Sequence, residues 1–124
     1  MPFTEPAYLV GTGGAIGAVL RYLVANVILR WRGPTKIPTS TVVVNVIGSF
    51  GLGLLVFGSA GSDAMLLVGI GVCGAFTTYS SFSVQTVRLW EDGMRGYAVV
   101  NAVGNLALSG LAVGVAWLLV SAVA

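Results

Sequence analysis

The stretch Gly74-Ala-Phe-Thr-Thr-Tyr-Ser-Ser-Phe-Ser-Val-Gln85 lies in the middle of a long apolar segment, yet it is dense in Thr, Ser, Tyr and Gln. Hydrocarbon penalises hydroxyl and amide groups that lack partners. A segment carrying this many must turn them toward protein, water or an ion. Tyr79 and Phe82 stand three apart, so a helix projects both rings from one face. Thr78, Ser81 and Gln85 follow at spacings of three and four, a polar stripe beside the rings. Gly74 at the front permits backbone geometry that other residues resist. A small residue, paired hydroxyls and paired rings at membrane depth read as a path for an ion or polar substrate.

Working outward, the composition sets the medium. Of 124 residues, 56% are hydrophobic and only 8% charged, with a mean hydropathy of +0.96. Soluble domains carry about a quarter charged residues, so this chain is expected to be a single integral membrane domain. Four apolar segments are separable, at about 7–29, 41–58, 64–89 and 97–122. Each approaches or exceeds the roughly 18–20 residues that cross a bilayer as a helix. No alternating pattern supports a membrane strand, so the expected fold class is all-α with four transmembrane helices. The tail Met1-Pro-Phe-Thr-Glu-Pro6 lacks the basic start of a secretory leader, and the first span is expected to be retained.

Six basic and four acidic residues give a net charge of +2 with no basic run, which argues against a nucleic-acid partner. Arg30, Arg32, Lys36, Arg88 and Arg95 fall in the first and third loops, while the second loop and both termini carry no Lys or Arg. The positive-inside bias then places both basic loops in the cytoplasm and both termini outside. Histidine is absent, and Cys73 is a lone thiol read as a small packing residue. Gly13 and Gly17, Gly14 and Ala18, and Gly110 and Gly114 repeat at four, the spacing that lets membrane helices approach closely.

Inside the spans, Thr41, Asn45 and Ser49 recur at four on the second, and Asn101, Asn105 and Ser109 recur at four on the fourth. Each set lines one helix face. Two readings fit them, interhelical hydrogen bonds and a hydrogen-bonding pathway. Arg21 also admits two readings, a cation facing a wet vestibule or a side chain snorkelling toward the interface. No Asp, Glu or His lies within a span, which leaves no evident proton relay or catalytic constellation. Amides, hydroxyls and positive ring edges suit a small anion instead.

The residues that carry a resemblance are Gly13-Gly-Ala-Ile-Gly-Ala-Val-Leu-Arg-Tyr22, Thr41-Val-Val-Val-Asn-Val-Ile-Gly-Ser-Phe50 and Gly71-Val-Cys-Gly-Ala-Phe-Thr-Thr-Tyr-Ser-Ser-Phe-Ser83. In order and spacing they resemble the Fluc (CrcB) fluoride channels over all four spans. The resemblance implies an antiparallel dimer of four-helix subunits with fluoride pores, in the plasma (inner) membrane, letting fluoride leave the cell passively. It implies a third helix broken at Gly74 to Thr77, where the carbonyls of Gly74 and Thr77 hold a structural sodium ion at the dimer interface. It puts the pore rings on Tyr79 and Phe82, the pore asparagine on Asn45 and the first-helix arginine on Arg21. The polar pathway takes in Thr41, Thr78, Ser81, Asn105 and Ser109.

Four positions depart from the family's pattern: Tyr79 replaces a usual Phe, Gln85 a common glutamate, and Asn101 and Asn105 the more usual Tyr or Asn and Ser. With five basic loop residues against none, these departures leave the second subunit open, identical or paralogous. A partner-dependent or non-conducting subunit is the alternative. A small multidrug exporter would need a titratable carboxylate within the membrane, which this sequence does not offer.

Overall fold

Apolar runs of this length can cross hydrocarbon only with their backbone groups paired internally, and helices do that. The computed structural model describes residues 5–124; Met1–Thr4, part of the tail read for a leader, lie outside the described residues. The described residues contain no strand. Helix α1 spans Pro6–Arg32, with Pro6 in its first turn, where a missing N–H costs nothing. It stops at Gly33, whose φ of +68° suits glycine and whose N–H donates to the Leu29 carbonyl at 2.9 Å. Helix α2 spans Thr39–Phe57.

The third span covers Ser62–Glu91 in pieces. It opens with a turn, α3 (Ser62–Ala64), and widens into a π-helical stretch over Met65–Cys73. After α4 (Gly74–Phe76) the chain becomes extended at Thr77, with φ −79° and ψ 161°, and α5 runs Ser80–Glu91. Helix α6, Arg95–Val123, completes the chain. Four stretches are long and apolar enough to cross a membrane.

Small residues set the packing. Helix α1 lies against the π-helical stretch, and α6 lies against α2 and α5. At Gly13 an added Cβ would fall 2.9 Å from Gly71 Cα and overlap the Leu67 carbonyl. At Gly53 it would fall 2.8 Å from Ala116 Cβ. The first seam sets backbone against backbone and the second sets backbone against a methyl, and contact dispersion replaces the hydrophobic drive that lipid does not supply. The four spans alternate in direction. Lys36, in the first loop, sits 5.1 Å from the Tyr97 ring centroid at the start of α6, so the two basic loops share one end.

Candidate functional site

The site begins where the third span leaves helical geometry. In a continuous helix the Thr78 N–H would donate to the Gly74 carbonyl. Here it donates to Asn45 Oδ1 at 2.8 Å, and Asn45 Nδ2 donates back to the Thr78 carbonyl at 3.1 Å. The α2 amide thus stands in for the missing helical bonds, as buried backbone groups require. Gly48, one turn further along α2, has no side chain to meet the Thr77 methyl, which occupies that space. The helix restarts after Tyr79, its N-cap residue, and the Thr78 hydroxyl just ahead of it accepts the Ser81 N–H at 3.2 Å, giving one first-turn donor a partner.

The restart fixes the rings. Tyr79 and Phe82 pack with centroids 5.7 Å apart and planes tilted by 51°, an arrangement that turns edges as well as faces outward. Both line an open, mostly apolar groove of about 770 Å³ between α2, the third span and α6. Asn45, Thr77, Thr78, Asn105 and Ser109 also line it, and so does Gly74. Tyr79 is 80% exposed and Leu106, on the opposite wall, 78%. Apolar exposure alone is ordinary on helices that face lipid, but a groove where polar groups converge between apolar walls is the usual mark of a ligand site.

A family model described as CrcB-like protein, Camphor Resistance (CrcB), matches residues 8–117. The chain belongs to the CrcB family. It is 54% identical over 113 residues to "Fluoride-specific ion channel FluC 2" of Haloarcula marismortui, covering 91% of this chain and 92% of the relative. It is 51% identical over 116 residues to "Fluoride-specific ion channel FluC 1" of Halobacterium salinarum, covering 94% of each. A relative from Methanosarcina acetivorans, "Fluoride-specific ion channel FluC 3", is 41% identical over 110 residues. With four membrane-crossing stretches, this CrcB chain is a multi-pass membrane protein.

Not every residue singled out in this CrcB sequence faces the groove. Thr41, one turn before Asn45, donates its hydroxyl to Gln85 Oε1 at 2.9 Å, away from the groove lining. Arg21 reaches from α1 to the Thr77 carbonyl, with Nη1 donating at 3.4 Å. That contact gives the guanidinium a protein partner inside the bundle, which snorkelling does not describe. Ser81 lies outside the groove lining, and its hydroxyl and that of Ser109 have no protein partner among the described residues. Thr86 escaped the sequence reading, although it accepts from Asn101 Nδ2 at 2.9 Å. The signal that points to it is the amide itself: Asn101 is 1% exposed and needs a partner on the neighbouring span.

The oxygen donors suited to a cation are carbonyls. Among the described residues no three His, Cys, Asp or Glu cluster. The Gly74 carbonyl loses its helical donor because the Thr78 N–H goes to Asn45, and the Thr77 carbonyl leaves the helical direction with ψ 161°. Gly74 is exposed and lines the groove. A carbonyl freed in this way is the donor type that replaces the hydration shell of an alkali cation, so Gly74 fits sodium in kind, whereas the Thr77 carbonyl already accepts from the Arg21 guanidinium and has one lone pair left to offer.

Proposed function

We propose that this chain is a subunit of a fluoride-selective channel that lets fluoride leave the cell passively across the plasma membrane. The carrying observation is the pair of relatives named as fluoride-specific ion channels, alike at 54% and 51% over more than nine-tenths of this chain and of each relative. The chemistry agrees. A strongly hydrated small anion can be stripped of water by hydroxyl hydrogens and by ring edges without a fixed counter-charge. The Tyr79 and Phe82 edges and the Ser81 and Ser109 hydroxyls supply those groups, beside Asn45, Thr78 and Asn105. Thr41 and Arg21 flank them. No bond is made or broken, so the protein is not an enzyme.

In this reading the groove receives a second subunit in antiparallel orientation, covering the exposed faces of Tyr79 and Leu106. The third span acts as a broken helix, and the Gly74 and Thr77 carbonyls of both subunits would hold a structural sodium ion. That ion would supply positive charge at the interface. The Asn45 amide would keep the Thr77–Tyr79 backbone open for it.

The partner-dependent alternative has its own support. Five basic residues mark one end and none the other, whereas antiparallel insertion of a single sequence favours little bias. A paralogue of opposite bias would complete the pair. A bacterial host lacking its own fluoride exporter tests the function. Expression of the chain, alone or with a paralogue, restores growth in fluoride medium if the reading is right. Failure of both, with folded protein in the membrane, contradicts it.

A further inference from the structure

The amides between the spans form a one-way circuit that leaves the third span and returns to it. The Thr78 N–H donates to Asn45 Oδ1 at 2.8 Å, and Asn45 Nδ2 donates to Asn105 Oδ1 at 3.1 Å. Asn105 Nδ2 donates to Asn101 Oδ1 at 3.1 Å, and Asn101 Nδ2 donates to Thr86 Oγ1 at 2.9 Å. The Thr86 hydroxyl then donates to the Phe82 carbonyl at 2.8 Å. The direction is forced at both ends, because a backbone N–H can only donate and a backbone carbonyl can only accept.

Counting hydrogens assigns the roles. An amide nitrogen carries two. The second hydrogen of Asn45 goes to the Thr78 carbonyl at 3.1 Å, and the second of Asn105 to the Asn101 carbonyl at 2.9 Å. Neither asparagine has a hydrogen left for an anion. Asn101 and Asn105 are 1% and 5% exposed, so the circuit runs where hydrogen bonds polarise and strengthen one another. Its two ends bracket the segment from Thr78 to Phe82, which holds the ring pair.

We propose that this circuit is a clamp that sets the position of the Tyr79–Phe82 ring pair. Asn45, Asn105, Asn101 and Thr86 are positioning residues in it, and the ion meets ring edges and free hydroxyls instead. The flux part of its test rests on the fluoride reading.

Thr86→Val opens the circuit with little change of shape, and Thr86→Ser keeps the hydroxyl. In reconstituted protein, T86V is expected to speed hydrogen exchange at the Thr78 amide about tenfold or more. It is expected to lower maximal fluoride efflux about tenfold, while half-saturating fluoride stays within about twofold of wild type. Thr86→Ser is expected to restore both. Either readout staying within about twofold of wild type in folded T86V overturns the clamp. If T86V does not fold, Asn101→Ala opens the circuit one bond earlier and is judged by the same two readouts. A wild-type protein that conducts no fluoride in either subunit composition sinks the channel reading, and Thr78 exchange alone then decides the clamp.

Discussion

Asn45 and Gly48 sit three apart on α2 and act on consecutive residues of the third span. The asparagine clasps the Thr78 backbone, and the glycine leaves room for the Thr77 methyl. A methyl at position 48 would overlap Thr77 Cγ2, whereas one at Gly51 would meet its nearest atom, Cys73 Sγ, at 3.4 Å. Gly48→Ala is therefore expected to cost about 1–3 kcal/mol, read as a fall in thermal midpoint. Gly51→Ala is expected to leave that midpoint nearly unchanged. Asn45→Asp keeps an oxygen for the Thr78 N–H but removes both donated hydrogens and sets a carboxylate beside the anion path. It is expected to abolish fluoride flux while protein remains folded; undiminished flux would show that the path runs elsewhere. The asparagine stripes were legible in the sequence as spacing on helix faces. Their partners were not, because Thr86 and the Thr78 backbone lie on another span, and helical periodicity carries no information between spans.

Among the elements, α1 and the third span meet most closely, and glycines allow it. The repeat at four marks Gly13 and Gly17 in the same way as Gly110 and Gly114, yet the structure separates the pairs. Cβ atoms at Gly13 and Gly17 would overlap the carbonyls of Leu67 and Val72, while Gly110 and Gly114 have nothing within 4 Å. Gly13→Leu or Gly17→Val is expected to abolish recovery of folded protein by size-exclusion chromatography. Single alanine substitutions at Gly110 and Gly114 are expected to leave the subunit folded. Helical spacing also ran Thr78, Ser81 and Gln85 together as one stripe. In the structure Ser81 and Gln85 lie in α5, but Thr78 lies before it, outside the helix. The backbone departs there because Asn45 offers the Thr78 backbone an alternative to the helical ladder, a choice no local propensity encodes.

At the scale of the molecule, the four spans were legible because length and hydropathy alone demand them. The groove was not, since it forms only when α2, the third span and α6 are brought together. Charge divides the two ends: Lys36 rests on Tyr97 and Arg95 on Trp90, with the centroids 5.1 and 4.8 Å away, and the loop at residues 58–61 carries no Lys or Arg. Tagged termini are expected on one common side, opposite the basic loops. Equal labelling of the termini from both sides of the membrane would instead indicate a single chain inserted both ways and remove the need for a paralogue.

The most direct test of the central claim is ion release from liposomes. The chain is reconstituted alone and with a co-expressed paralogue, and fluoride efflux is followed with chloride as the control ion. Rapid fluoride release with chloride retained, in at least one composition, is the predicted result. Folded protein that releases no fluoride in either composition, or that releases chloride equally fast, would contradict it.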